Sequence, residues 1–119
     1  MPKAASSSVK VEHIFRALSD RTRLRILNLL QHGELCVCDL VGILDVPQPA
    51  ASRHLAYLRR VGLVVSRKEG LWVFYKLALE QDDFHAHLRQ CLSSCADFIP
   101  QLARDTADLE KTGRSDCCG

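Results

Sequence analysis

Residues 36–77, which read CVCDLVGILDVPQPAASRHLAYLRRVGLVVSRKEGLWVFYKL, carry the clearest architectural signal in this chain. Apolar residues at helical spacing over 36–44 predict a short helix, and the segment 45–47, which ends in proline, interrupts it. A second helix is predicted over 48–61, and the period then changes to alternation around a turn at 69–70, which predicts a β-hairpin. Two helices around a tight break, followed by a basic hairpin, are the layout of a winged helix-turn-helix.

Helical patterns flank this region on both sides. A first helix is predicted over 9–18, and a second, capped by Ser19 or Asp20, ends near Gly33. Beyond Gln81 a long helix is predicted, and its apolar positions repeat at intervals of four, three, four and three residues (Leu88, Leu92, Cys95, Ile99 and Leu102). Such a narrow seam is typical of helices that pair between two copies, and Pro100 should kink or split the helix. The fold class is therefore mainly α with a small β-hairpin, a winged helix-turn-helix with a helical dimer interface.

The length of 119 residues is that of one domain, and 47% hydrophobic with 25% charged residues is the composition of a globular chain. We expect a disordered leader over 1–8, the folded domain over 9–110 and a flexible, cysteine-containing tail over 111–119. The apolar runs are much shorter than the ~20 residues that cross a bilayer, and the N-terminal segment has no apolar core typical of a signal peptide. The sequence therefore predicts a soluble, cytoplasmic protein that does not enter membranes.

Positive charge is concentrated in the predicted helix-turn-helix and hairpin. Residues 51–76 carry six basic side chains against one acidic side chain, although the whole chain has a net charge of only +2. A basic block of this kind is typical of a module that neutralises DNA phosphates. On a helical wheel Ala51, Leu55 and Leu58 form the buried stripe of the second helix, so its other faces are left for DNA. The predicted DNA-binding residues are Gln48, Ser52, Arg53, His54 and Tyr57 on the helix, with Arg67 and Lys68 on the hairpin.

Six cysteines form three close pairs, Cys36 with Cys38, Cys91 with Cys95, and Cys117 with Cys118. In a reducing compartment such thiols are kept for metal or redox chemistry rather than for disulfides. On a regular helix the side chains of Cys36 and Cys38 would point about 200° apart, whereas an extended segment would place both thiols on one side. Thiolates bind soft ions in preference to magnesium or calcium.

Several short motifs resemble the ArsR/SmtB family of metal-sensing repressors. Residues 34–40 (ELCVCDL) are similar to its metal-binding box, 48–55 (QPAASRHL) to its recognition helix, and 62–64 with 70–75 (GLV and GLWVFY) to its wing. The resemblance covers roughly residues 10–78. It implies a homodimer that binds operator DNA as a repressor and is released when a metal or metalloid binds.

The arsenic- and antimony-responsive members of that family are the most similar, so the resemblance implies arsenite or antimonite as inducer. Cys36 and Cys38 are then the metal ligands, and no organic cofactor is expected. Val41 stands where such members often have a third cysteine, and Pro47 where they often have a serine. Because trivalent arsenic binds three thiolates, the third has to come from elsewhere. The candidates are Cys91, Cys95, Cys117 and Cys118.

Other interpretations remain open at the level of sequence. The same fold could carry a repressor that responds to cadmium, lead or zinc, or one switched by a disulfide, such as Cys91–Cys95 or one within the C-terminal tail. Residues 83–85 (DFH) resemble half of the zinc site of some relatives, but the matching second half is missing, so His85 and His87 are expected at the solvated surface. A thiol enzyme such as an arsenate reductase is disfavoured, because the chain has neither a Cys-x-x-Cys in a βαβ setting nor a phosphate loop. We therefore expect no enzymatic activity.

Overall fold

The computed structural model describes residues 10–78 and 82–112. Within these residues six helices and three strands follow one another as α1 (Val11–Leu18), α2 (Arg21–Leu30), β1 (Leu35–Cys36), α3 (Val37–Leu44), α4 (Gln48–Arg60), β2 (Val64–Glu69), β3 (Trp72–Leu77), α5 (Asp83–Cys95) and α6 (Pro100–Thr112). The chain is mainly helical with one small sheet, as the sequence predicts. The leader predicted over 1–8 and residues 113–119 of the predicted tail lie outside the described residues, and α6 continues through Thr112.

Helix boundaries follow from local chemistry. The carboxylate of Asp20 accepts a hydrogen bond from the backbone N–H of Arg23 at 3.0 Å, so the predicted cap of α2 is confirmed. The long helix predicted beyond Gln81 is split into α5 and α6. Pro100 is the first residue of α6, a position where its missing N–H costs no helical hydrogen bond.

The three strands form an antiparallel sheet in the order β1-β3-β2. Glu69 lies opposite Trp72, so the wing turns through two residues, Gly70 and Leu71, one position later than predicted. Gly70 has φ 63°, which a two-residue hairpin loop with glycine in its first position requires. The strand β1, which pairs Cys36 with Phe74, is not predicted by the sequence, which places Cys36 in a helix. This expectation is wrong because a two-residue strand is too short to show a period.

The core lies between α2, the helix-turn-helix and the two C-terminal helices. The predicted buried stripe of α4 is confirmed, since Ala51, Leu55 and Leu58 have no exposed surface. Of the predicted C-terminal seam, Leu88, Leu92 and Leu102 are buried within this chain. Its use between two copies stays a prediction.

His85 is buried, so the expectation that it lies at the solvated surface is wrong. Its Nδ1–H donates to the carboxylate of Asp82 at 2.7 Å, and the same carboxylate accepts the backbone N–H of His85 at 2.9 Å. The histidine therefore belongs to the N-terminal cap of α5. His87 is exposed, as expected.

A buried ion pair connects α2, α3 and α6. The guanidinium of Arg25 donates to both carboxylate oxygens of Asp105, at 2.7 and 3.0 Å, and Asp105 has no exposed surface. The same guanidinium donates to the backbone carbonyls of Leu44 and Ile43, at 3.3 and 3.4 Å. The hydrogen bonds with Asp105 raise the pKa of Arg25. The C-terminal end of α3 is thereby fixed to α6 through one side chain.

Helices α1–α6 are all too short or too polar to cross a bilayer in the parts of the chain that the structure describes.

Candidate functional site

Cys36 and Cys38 lie where β1 changes into α3. Cys36 is the last residue of β1 and the N-cap of α3, with extended backbone angles of φ −83° and ψ 161°, and Cys38 is in the first turn of the helix. Because Cys36 is extended rather than helical, the two side chains converge and their Sγ atoms are 2.9 Å apart. Both sulfurs are therefore placed to bind the same ion.

Asp39 adds a third potential ligand beside this pair. One ligand atom each from Cys36, Cys38 and Asp39 lie within 4.8 Å of one another. Cys36 is almost completely buried, and the other two side chains are half-buried. No other group of three or more potential metal ligands occurs in residues 10–78 and 82–112. Two sulfurs and one carboxylate oxygen favour a soft ion, because thiolates select soft metals and metalloids.

The other predicted sulfur ligands are not part of this group. Cys91 is exposed and Cys95 is half-buried on α5, where the Cys95 thiol donates to the Cys91 carbonyl at 3.4 Å. Burial, and secondarily the neighbouring Cys91, raise the pKa of Cys95, so its reactive thiolate form is disfavoured. Cys117 and Cys118 lie outside the described residues.

A cleft of about 290 Å³ opens beside the two sulfurs, between the helix-turn-helix and the wing. Cys36 and Cys38 form one side of it, and Gln48 and Ser52 at the start of α4 form another. Residues of the wing complete it, with Leu71, Trp72, Val73 and Tyr75 among its lining. The potential metal ligands and two of the predicted DNA-binding residues therefore share one cavity.

The predicted DNA-binding residues of α4 are not equally available. Gln48, Ser52 and Arg53 are exposed in the first half of the helix. Pro47 precedes α4 with φ −58° and ψ 143° and provides no side-chain cap, so the helix begins at Gln48 without the hydroxyl that a serine would supply. The N-terminal half of α4 thus presents amide, hydroxyl and guanidinium groups to solvent.

His54 and Tyr57 contact arginine side chains of α2 and of their own helix. The Arg23 guanidinium donates to Nδ1 of His54 at 3.3 Å and stacks over the Tyr57 ring at 4.5 Å, and Arg60 lies 5.1 Å from the same ring. Nδ1 of His54 is also 3.9 Å from the Asp20 carboxylate. Tyr57 therefore positions two cations, a role that the helical wheel does not reveal.

Arg67 is held by two carboxylates. Its guanidinium makes two hydrogen bonds of 2.8 Å with Glu34 and one of 2.6 Å with Glu69, and it stacks over Phe74 at 4.6 Å. These carboxylates raise the pKa of Arg67, and the hydrogen bonds from Arg67 lower the pKa of Glu34. Lys68 next to it is exposed. Glu34 is a site residue that sequence reasoning missed, because 33 residues separate it from Arg67.

Comparison with known proteins identifies relatives of this chain. Residues 20–66 match the sequence model of a family described as "Bacterial regulatory protein, arsR family". The chain is 49% identical over 109 residues to the arsenic resistance transcriptional regulator ArsR2 of Pseudomonas putida, a match that covers 88% of this chain and 95% of that relative.

Two further relatives match over shorter regions. The arsenical resistance operon repressor of Escherichia coli K12 is 56% identical over 66 residues, which cover 55% of this chain and 56% of the relative. The chain thus spans little more than half of that protein. A cadmium resistance transcriptional regulatory protein, a CadC homologue of Staphylococcus aureus, is 42% identical over 83 residues, which cover 69% of this chain and 65% of the relative.

Solved structures show the same fold. HlyU from Vibrio cholerae has a TM-score of 0.64 and 32% sequence identity, and the match covers 83% of this chain and 98% of that structure. The winged helix-turn-helix DNA-binding domain Mb0332 from Mycobacterium bovis, described as homodimeric, has a TM-score of 0.62 and 32% identity over 73% of this chain and 78% of that structure. With the family match and the near full-length similarity to ArsR2, these likenesses establish that the chain belongs to the arsR family of bacterial regulatory proteins and has a winged helix-turn-helix fold.

Proposed function

We propose that this repressor binds operator DNA as a homodimer and is released when arsenite or antimonite binds the thiolates of Cys36 and Cys38. One observation carries the proposal. The two sulfurs converge to 2.9 Å at the start of α3, in the cleft that Gln48 and Ser52 also line. A ligand held there lies beside the helix that reads DNA.

Release follows from the position of Cys36 at a junction. A metalloid that bridges the two sulfurs constrains the extended residue Cys36 and the first turn of α3 at the same time. Since α3 packs against α4, a displacement at this junction also displaces the recognition helix. A shift of about an ångström at several charge-assisted contacts is worth a few kcal/mol, which is the usual scale of coupling between two ligands.

Residues of α4 and the wing are proposed to contact DNA. Gln48, Ser52 and Arg53 are exposed at the end of α4 that recognition helices usually insert into the major groove. Lys68 is proposed to contact the phosphate backbone from the wing. His54, Tyr57 and Arg67 are proposed to contribute mainly by position, because each of them already has a partner in the protein.

The homodimer is supported by the homodimeric state of the similar Mycobacterium bovis domain and by an apolar stripe on α1. Val11 and Phe15 are 46% and 57% exposed on the side of α1 that faces away from the core. A dimer places two recognition helices on the two halves of an approximately palindromic operator.

A fluorescence anisotropy titration tests the proposal. Arsenite added to the protein bound to labelled operator DNA should release the wild type, and Cys36→Ser and Cys38→Ser should bind DNA normally but no longer be released. Cys91→Ser is the matched control, since Cys91 is an exposed thiol away from the cleft. If Cys38→Ser is released at the wild-type arsenite concentration, the proposed ligand role is wrong.

Cadmium is the second candidate inducer, and zinc or lead are related possibilities. The observation that favours cadmium is the carboxylate of Asp39 within 4.8 Å of the two sulfurs, together with the relative named for cadmium resistance. Parallel titrations with cadmium, zinc, lead, arsenite and antimonite rank these ions. A redox switch at Cys91 and Cys95 predicts instead that peroxide releases DNA in a chelated, metalloid-free sample.

A further inference from the structure

Trivalent arsenic forms three bonds, and the described site offers two sulfurs. Cys36 and Cys38 converge, but Cys91 and Cys95 are not part of the group, and Val41 occupies the position one helical turn beyond Cys38. The remaining nearby ligand, Asp39, offers oxygen, which a soft metalloid binds less readily than sulfur. The third ligand of arsenic therefore has to come from outside the group formed by Cys36, Cys38 and Asp39.

The cleft beside the sulfurs provides room for the group that fills it. Its volume of about 290 Å³ is far larger than a single water molecule requires, and it is open to solvent. Its lining combines apolar side chains of the wing, such as Leu71 and Val73, with Gln48 and Ser52, which offer hydrogen bonds. A small molecule with a short carbon chain and polar ends matches this lining in chemical character.

We propose that a low-molecular-weight cellular thiol provides the third sulfur and lies in this cleft, so that the inducer is a mixed complex of arsenite, two protein thiolates and one small thiol. This inference rests on the proposed function, because it concerns the same ligands. It names a second ligand for the site and assigns the cleft a role in binding it.

The reaction exchanges oxygen for sulfur and involves no change in oxidation state. Arsenous acid, As(OH)₃, reacts with the thiols of Cys36, Cys38 and the small molecule. Three As–S bonds form as three As–O bonds break, and each thiol proton leaves with a hydroxide as water. The arsenic remains trivalent throughout, so neither oxidant nor reductant is needed.

Occupation of the cleft also explains why such a complex would oppose DNA binding. Gln48 and Ser52 line the same cleft as the two sulfurs. Both are exposed residues of α4 that are proposed to contact DNA. A small thiol on the arsenic would cover them directly, in addition to any displacement of α3.

The experiment compares arsenite titrations of the operator complex with and without a monothiol. The full chain is reduced with a thiol-free phosphine, and arsenite is added alone or premixed with a few equivalents of glutathione. We expect half-maximal release at a roughly tenfold lower arsenite concentration with glutathione, a typical coupling between two ligands. Native mass spectrometry should show a protein subunit carrying one arsenic and one glutathione.

Val41→Cys is the matched variant. Residues three apart on a helix share a face, so this substitution places a third protein thiol beside Cys38. Release of Val41→Cys by arsenite should no longer depend on glutathione, and its mass should show arsenic without the small thiol. If the cleft does not bind glutathione, added glutathione should change the release by arsenite of neither the wild type nor Val41→Cys. That result would contradict the inference.

A second comparison excludes a third sulfur from elsewhere in the chain. The variant with Cys91, Cys95, Cys117 and Cys118 all replaced by serine should behave as the wild type does in both titrations. If the wild type is released without glutathione and only this variant requires it, the chain supplies its own third sulfur and the inference is overturned. If arsenite releases neither protein under any condition, the proposed function itself fails, which is a different result.

Discussion

The exposed guanidinium of Arg67 is paired with two carboxylates of the same chain. Glu34 and Glu69 together accept three of its hydrogen bonds, and Phe74 covers one of its faces. Glu34 also stands two residues before Cys36, and Phe74 pairs with Cys36 across the sheet. Arg67 therefore connects the wing to the segment that carries the thiols, and carboxylates of the same chain offset its charge.

Replacing Glu34 tests this arrangement. Glu34→Gln removes one of the two carboxylates, so Arg67 becomes more available to a DNA phosphate. We expect tighter operator binding and a plot of log K against log salt that is steeper by about 0.9, the contribution of one phosphate contact. Anisotropy titrations over a range of salt concentrations measure both.

The control is Glu12→Gln, which removes an equal charge from the exposed face of α1. If both variants change the salt dependence equally, only net charge matters and the Glu34–Arg67 contact has no special role.

At the scale of elements, α3 is held at its two ends by different means. Its start is the junction with β1, where Cys36 is extended, and its end is fixed by Arg25 through the carbonyls of Ile43 and Leu44. Arg25 is in turn held by Asp105 of α6. A displacement at the start of α3 therefore turns the helix about an anchored end.

Asp105→Asn should destabilise the fold strongly. Removing one member of a buried ion pair leaves the charge of Arg25 without compensation, at a cost of about 3 kcal/mol. Urea denaturation followed by circular dichroism measures the free energy of unfolding. Glu110→Gln, at an exposed position of the same helix, should change it little, and comparable losses in the two variants would contradict the role of the ion pair.

Replacing a glycine should destabilise the protein in the wing turn and stabilise it in α3. Gly70 has φ 63°, so Gly70→Val should cost about 1–2 kcal/mol of stability, because a side chain is strained in left-handed backbone. Gly42 lies exposed in α3, where an added Cβ meets no atom within 4 Å. Gly42→Ala should therefore stabilise the protein by about 0.5–1 kcal/mol, through higher helix propensity. Thermal unfolding of the two variants should shift in opposite directions.

The elements with long periodic patterns are predictable from sequence, and the short junctions are not. Asp20, the buried stripe of α4 and the split at Pro100 follow from local rules of capping, periodicity and proline geometry. The strand β1 does not, because it exists only through its pairing with β3. The close approach of Cys36 and Cys38 depends on that pairing. The sequence therefore predicts that the two thiols converge if the segment is extended, but it does not predict that the segment is extended.

Partners distant in sequence account for the remaining site features. The contacts of Arg67 with Glu34, of Arg25 with Asp105 and of Arg23 with His54 join residues 31 to 80 positions apart. No local pattern contains such pairs. Recognition of the family from its short motifs succeeded because those motifs combine in the right order along one domain.

At the scale of the whole molecule, apolar surface remains outside the core of the single chain. Val11 and Phe15 form a stripe on α1, one turn apart, while Ile14 on the neighbouring face is completely buried. Phe98, between α5 and α6, is 83% exposed. Exposed apolar side chains on α1 and in the turn between α5 and α6 are what a homodimer interface would cover.

Phe15→Glu should shift the protein from dimer to monomer, because a charge cannot be buried cheaply in an apolar interface. Sedimentation velocity at several protein concentrations measures the dissociation constant, and operator affinity should fall in parallel. Leu71→Glu is the control for dimerisation only, since Leu71 is 92% exposed at the tip of the wing and away from α1. Its position near the proposed DNA contacts makes it unsuitable as a control for operator affinity. Dimerisation of Phe15→Glu at wild-type strength would exclude α1 from the interface.

The brevity of β1 limits how firmly this strand is held against β3. Two residues hold this strand against β3, so only a few backbone hydrogen bonds are lost if it detaches. In the proposed mechanism, the free energy of metalloid binding then acts mainly to weaken DNA binding, because little of it is needed to break the pairing of β1 with β3. Under the same proposal, a longer strand at this place would hold Cys36 against β3, and the protein would bind a metalloid without releasing DNA.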